Sequence, residues 1–265
     1  MKFLIQNNLM GKKQIDMVVN AVKDFPHQYI GLMPFSSEII CEEPLEGIDY
    51  IPYGSTLLTT LGYEKYKWSG LYFDLDNFSY RKALKYRSDM LNNGFVIPIE
   101  DAITFLSGRP NDENWFVRPN LDLKQFSGIV LPAGECVSWF KDAMECDSSG
   151  SYKIHEGTMI VVAEPQVIQA EWRWFVVGGK VVSGSMYRCH QQPRQERSLE
   201  EDIIFEAQEK ADEWLPHPCC VMDLALVNNK LKVIEFNSIN SSGFYDHDVV
   251  KIFKELYNYS VSHLH

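Results

Sequence analysis

Residues 221–245 read VMDLALVNNKLKVIEFNSINSSGFY, and the apolar runs on either side of Asn228-Asn229-Lys230 read as a β-hairpin. Glu235 and Asn237 stand two apart on the second strand, so their side chains leave the same face. Register decides whether Asp223 joins them. A three-residue loop at 228–230 sets Asp223 opposite Glu235; a strict two-residue loop sets it opposite Ile234 and sends Glu235 to the other side. The apolar residues favour the first. With it, Met222, Leu224, Leu226, Ile234 and Phe236 collect on one dry face. Asp223, Ala225, Val233, Glu235 and Asn237 collect on the other. Two carboxylates and an amide on one face are oxygen donors of the kind a hard divalent cation takes, with phosphate and water completing the shell. A half-solvated strand pair with ordinary surface acids is the plainer explanation of the same spacing. The small-residue stretch that follows, at 238–243, offers backbone amides that can wrap a substrate.

Upstream, 171–177 and 180–187 read as another hairpin, turning at Gly178-Gly179, where both positions permit positive φ. Glu171 and Arg173 share one face of its first strand, and an ion pair between them is the structural alternative to a functional role. Trp172 and Trp174 share the opposite face and read as core. Strands are expected at 115–118 and 158–164, and helices at 135–144, 199–214 and 245–257. Turn-forming residues crowd into 107–114, SGRPNDEN, which reads as a boundary. Before it the pattern is α/β. A strand at 2–6 precedes a helix with Ile15, Val18, Val19 and Val22 on one face. Strands follow at 29–33 and 50–53, then helices from Thr56 and over 80–86. The stretch 68–76 reads as a loop whose aromatics line a groove. Two domains are therefore expected, an α/β domain over 1–108 and an α+β domain over 109–265.

An acid on one strand, Glu-x-Asn on the next and a small-residue loop after it resemble the magnesium end of ATP-grasp ligases. That family includes D-alanine–D-alanine ligase and the ribosomal-protein glutamate ligases. The resemblance covers about residues 115–245 and implies an ATP-grasp fold: two α+β lobes clamping ATP, preceded by a small α/β domain. It places the metal ligands on Asp223, Glu235 and Asn237, for magnesium or manganese. The segment 161–177, VVAEPQVIQAEWRWFVV, resembles the family's hinge and following strand. Adenine recognition then falls on Glu164, Pro165, Gln166 and Val167, and ribose recognition on Glu171. Arg173 and Arg188 resemble arginines that face the triphosphate and the acyl-phosphate. The family usually carries a lysine over the α- and β-phosphates, and this chain has Arg118 there, in FVRPN. Arginine keeps the charge and adds a bidentate fork. A bacterial and phage branch shows the same exchange, along with the Tyr53-Gly54-Ser55 element. The loop at 121–128, LDLKQFSG, is poor in glycine, and Lys124, Ser127 and Gly128 are its working candidates. The resemblance implies a ligase joining a small-molecule or peptide carboxylate to an amine through an acyl-phosphate. Two alternatives keep the scaffold without ligation: a nucleotide-binding module, and a phosphotransferase.

Composition agrees with such an enzyme. The chain has 265 residues, 45% hydrophobic and 23% charged, as in ordinary globular proteins. No apolar run approaches the ~20 residues of a membrane span. Gln6, Asn7 and Asn8 break the N-terminal apolar stretch too early for a signal peptide, so a cytoplasmic protein is expected. A net charge of −11 opposes general nucleic-acid binding, which rests on neutralising phosphates, but leaves room for an anionic ligand among a few arginines. The six cysteines show no zinc spacing and read as free thiols. His247, between Asp246 and Asp248, reads as a bystander to a helix capped by Asp246, and His190 as a solvated loop residue.

Overall fold

The computed structural model describes residues 1–8, 11–33, 36–121, 123, 125–145, 154–197 and 199–263. Its first part is a β/α unit. Strand β1 (Lys2–Gln6) leads to helix α1 (Lys12–Val22), then β2 (His27–Leu32), β3 (Ile39–Cys41), β4 (Tyr50–Tyr53) and the short α2 (Thr56–Leu61). The sheet order is β3-β2-β1-β4, with β1 parallel to both neighbours and β3 antiparallel at the edge. On α1, Val18 and Val22 are buried as the spacing requires, while Val19 is exposed at the margin of the apolar stripe. The 68–76 stretch has neither helix nor strand, as expected, and Trp68, Tyr72 and Phe73 are buried in the core.

Helix α3 (Tyr80–Tyr86) leads to a four-stranded antiparallel sheet of order β5-β8-β6-β7. Its strands are β5 (Phe95–Pro98), β6 (Asn114–Pro119), β7 (Ile129–Pro132) and β8 (Met159–Ala163). Helices α4 (Ile99–Ser107) and α5 (Ala133–Glu145) pack on one face of it around Trp115, Val117, Phe140 and Ile160. The expected boundary at 108 falls inside this lobe. β5 is hydrogen-bonded to β8 and α4 lies on α5, although both precede residue 108. At Gly94 any Cβ would collide with the Val162 carbonyl, and this close approach lets β5 start against β8.

The last part is a five-stranded antiparallel sheet of order β11-β10-β9-β12-β13. It comprises β9 (Ala170–Val177), β10 (Lys180–Cys189), β11 (Gln192–Glu196), β12 (Cys220–Val227) and β13 (Lys230–Asn237). Helix α6 (Glu201–Glu213) enters between β11 and β12, and α7 (Val249–Ser262) closes the chain. Gly178 and Gly179 both have positive φ, which gives the two-residue hairpin turn expected there. One face of this sheet, with Trp172, Trp174, Met222 and Leu224, forms a core with α6 and the aromatics of 71–78. The opposite face of β9 changes character along its length. Phe175 and Val177 pack against β1, β4 and α7, while Glu171 and Arg173, on the same face, are left for the space beyond. Among the described residues no helix is long and apolar enough to cross a membrane. Asp248 caps α7 by accepting from Lys251 N at 3.0 Å, a role the sequence had pointed to Asp246.

Candidate functional site

Two β-bulges aim the side chains of this site. The β12–β13 hairpin turns on two residues, since Val227 pairs with Lys230 and both Asn228 and Asn229 have positive φ. A regular ladder would then set Asp223 opposite Ile234. Instead Leu224 pairs with Val233 and Asp223 with Glu235, leaving Ile234 as an extra residue. The expected Asp223–Glu235 pairing is therefore present, but a bulge makes it rather than a three-residue loop. The bulge also exchanges two expected positions. Val233 joins the dry core with Leu224, and Ile234 packs with Leu91, Ala225 and Ile168 on the other side. A second bulge lies on β10, where Met186 pairs with Trp172 and Arg188 with Glu171. The extra residue, Tyr187, joins Arg188 on the face of Glu171.

Asp223, Glu235 and Asn237 converge. Asn237 Nδ2 donates to Asp223 Oδ2 at 3.3 Å and to Glu235 Oε1 at 3.2 Å, so one amide nitrogen already sits within reach of both carboxylates. Turning that amide about its last torsion presents the oxygen at the same place, completing a set of hard oxygen donors. Among the described residues no three His, Cys, Asp or Glu side chains cluster for a metal, so the mixed set is the candidate.

Each expected arginine meets one of the expected acids. Arg173 grips Asp223 in a bidentate fork, Nε to Oδ1 at 2.8 Å and Nη2 to Oδ2 at 2.7 Å. Its partner is thus Asp223, the aspartate expected as a metal ligand, not Glu171. Burial opposes the Arg173 charge, but Asp223 more than offsets it and keeps the guanidinium protonated. Arg188 Nη1 donates to Glu171 Oε1 at 2.9 Å, and Tyr187 Oη to Glu171 Oε2 at 2.7 Å. Burial, with the charges of Asp223 and Glu171, keeps the Tyr187 phenol a proton donor. Arg118 leaves the four-stranded sheet and crosses to Glu235 Oε2 at 2.6 Å, with its guanidinium 5.1 Å from the Tyr80 ring centre.

Between the two sheets lies a cleft of about 310 Å³. Phe116, Arg118 and Gly128 line it from one lobe, and Ile168, Glu171, Arg188 and Glu235 from the other. Within the connection from β8 to β9, Gln166 reaches this cleft. Glu164 opens instead on a neighbouring cavity beside Lys232, and the Val167 side chain is exposed. Lys124 lies outside the described residues. The 238–243 loop ties this sheet to the first unit. Asn240 O accepts from Gly54 N at 2.9 Å, Ser242 O from Tyr53 Oη at 2.7 Å, and the Asn240 side chain binds the backbone at Pro52, Gly70 and Tyr72. Ser55 caps α2 and also donates to Gln6 Oε1 at 2.9 Å. The sequence reading missed Tyr187, Tyr245, Ile168 and Ile234. Two of them are bulge products, which residue spacing does not signal.

Two lobes of antiparallel sheet that enclose acids and arginines define a nucleotide-clamping architecture, and comparison identifies it. Residues 98–254 match the family model described as ATP-grasp domain, R2K clade family 2; the chain belongs to that family. Solved structures of the same fold span nearly the whole chain. D-alanine–D-alanine ligase from Bacillus anthracis aligns with a TM-score of 0.58 at 10% identity, over 99% of this chain and 98% of its own. The D-cycloserine synthetase DcsG aligns with 0.58 at 9%, over 98% and 100%. An ATP-grasp RimK domain protein from Sphaerobacter thermophilus aligns with 0.59 at 8%, over 98% and 100%. At such identities the likeness is one of fold. No curated protein sequence matches the chain.

Proposed function

We propose that this protein is an ATP- and magnesium-dependent ligase that joins a carboxylate to an amine through an acyl-phosphate. The observation that carries this is the convergence of Asp223, Glu235 and Asn237 at a cleft that arginines enter from both lobes. In this scheme Asp223, Glu235 and Asn237 hold the magnesium, which draws off charge from the phosphate oxygens when bound. The apolar Ile168 and Ile234 form a floor for adenine, and the backbone of 164–167 its edge. Glu171 accepts from the ribose hydroxyls, and Tyr187 orients it. Arg118 stands where the family usually has lysine and meets the α- or β-phosphate.

The substrate carboxylate oxygen attacks the γ-phosphorus and ADP leaves. The amine then attacks the acyl carbon, losing a proton as phosphate departs with the carboxylate-derived oxygen. Arg173 and Arg188 stabilise negative charge on the phosphoryl group, and no side chain is needed as nucleophile.

The test supplies ATP, magnesium and pooled amino acids and short peptides with 18O in their carboxylates. Release of ADP and 18O-phosphate that requires both acid and amine is the expected result. ADP release without oxygen transfer indicates a phosphotransferase, and nucleotide binding without release indicates a binding module.

A further inference from the structure

Arg173 is held from more directions than a charge pair needs. Nε and Nη2 grip Asp223, Nη1 donates to the Gly243 carbonyl at 3.2 Å, and Cζ lies over the Tyr245 ring, 5.1 Å from its centre. Tyr245 is itself backed. Its ring stacks on Tyr187 at 4.7 Å with 15° between the planes, and the Tyr187 hydroxyl is fixed by Glu171. Glu171 and Arg173 are neighbours on one face of β9, so the two phenols form a bridge from one to the other.

We propose that Tyr245 is a positioning residue for Arg173, with Tyr187 as its support, and that this pair sets the direction in which Arg173 offers its remaining N–H groups to the transferred phosphoryl group. The proposal rests on the ligase reading for what Arg173 acts upon, but not for how Arg173 is held. A guanidinium held over an aromatic ring gains from the ring quadrupole, most where water is excluded. With Asp223 on its edge and the Tyr245 ring below its Cζ, Arg173 loses both sliding and tilting freedom. Because Arg173 is proposed to act on the group in transfer, the effect is expected chiefly on the rate.

Two readouts on the full-length protein test this. The first is turnover. Tyr245→Leu, which keeps bulk and loses the ring, lowers kcat by about 10–100-fold with the ATP KM little changed, as expected for a misaligned catalytic group. Tyr245→Phe keeps the ring face and restores the wild-type rate. The second is hydrogen exchange of the Arg173 Nε–H, followed by NMR on 15N-labelled protein. Exchange is slow in wild type and Tyr245→Phe, and faster in Tyr245→Leu. Tyr187→Phe keeps the stack but loses the Glu171 bond, so it raises the ATP KM and leaves Arg173 exchange slow. Unchanged Arg173 exchange in Tyr245→Leu overturns the assignment whatever the kinetics. If the wild type shows no ligation, the ligase reading falls, and faster exchange in Tyr245→Leu still upholds Tyr245 as the residue that holds Arg173.

Discussion

Arg118 on β6 and Glu235 on β13 meet across the cleft, Nη1 to Oε2 at 2.6 Å, so an ion pair joins the two lobes where nucleotide is proposed to enter. The pair is part-buried, and the Glu235 side chain keeps 24% of its exposure, so each group can be resolvated when they part. A phosphate that takes over the Arg118 fork gains a charge-assisted contact but loses this pair. Arg118→Ala is therefore expected to weaken binding of a non-hydrolysable ATP analogue by about 1.5 kcal/mol, the low end of the ~1.5–3 for such bonds. Arg118→Lys recovers part of it, since the ammonium keeps the charge without the fork. Calorimetric titration of the three proteins checks the ranking, and equal affinities would make Arg118 purely structural.

The two proposed carboxylate ligands differ in what they do for the fold. Glu235→Gln keeps shape at a part-exposed position, with an amide oxygen that can still accept from Arg118, and is expected to abolish turnover with only a small change in melting temperature. Asp223 is different, because its side chain is 3% exposed and carries the whole Arg173 fork. Asp223→Ala leaves that guanidinium buried without its main partner, which costs about 3–5 kcal/mol of stability. Denaturant unfolding of both variants separates them. A Glu235→Gln protein with wild-type turnover would remove Glu235 from the metal set.

Glu171 is buried, with one carboxylate oxygen on Tyr187 and the other on Arg188. A ribose contact there is made equally before and during the chemical step. Glu171→Ala should accordingly raise the ATP KM well before it lowers kcat. Steady-state kinetics over a range of ATP concentrations decide it, and a pure loss of kcat would move Glu171 from binding to catalysis.

How much of this was legible follows from the physics of each element. Alternation and turn residues located both large hairpins, and the i, i+2 spacing of Glu235 and Asn237 put them on one face. The Asp223–Glu235 pairing was reached for a reason that does not hold, because apolar patterning cannot distinguish a longer loop from a two-residue turn with a bulge. Ile234 and Val233 changed sides through that bulge. Arg173 found Asp223 on the adjacent strand rather than Glu171 on its own, because β9–β12 pairing is a long-range contact that spacing within a strand does not carry. The boundary at 108 followed a real turn at 107–114, yet β5 returns across it to pair with β8. The fold class needed only local pattern and motif order, whereas partners within the site needed register.

His247 provides a pH dependence that separates burial from catalysis. It is 4% exposed, with Nδ1 on Ser183 Oγ at 2.9 Å, its ring edge-on to Phe175, and Nε2 without a hydrogen-bond partner among the described residues. Burial first, then the charges of Arg173 and Arg197, lower its pKa to about 3, against about 6.5 in an unfolded chain. The folded protein thus keeps a neutral imidazole where the unfolded chain binds a proton. Well above pH 6.5 neither state is protonated and the residue adds no slope. As pH falls from there towards 3 the unfolded state gains the proton alone, and stability is lost at about 1.4 kcal/mol per unit. His247→Gln retains a side chain able to bond Ser183 and removes the titration. Carboxylates act in the same acid range, but the two proteins share them, so the difference between their urea-unfolding free energies isolates His247. That difference should be constant from pH 8 to 7 and then shift in favour of the glutamine variant as pH drops to 5. Curves that stay parallel would mean that His247 takes up its proton in the folded state, with water reaching Nε2 through a local opening at Ser183.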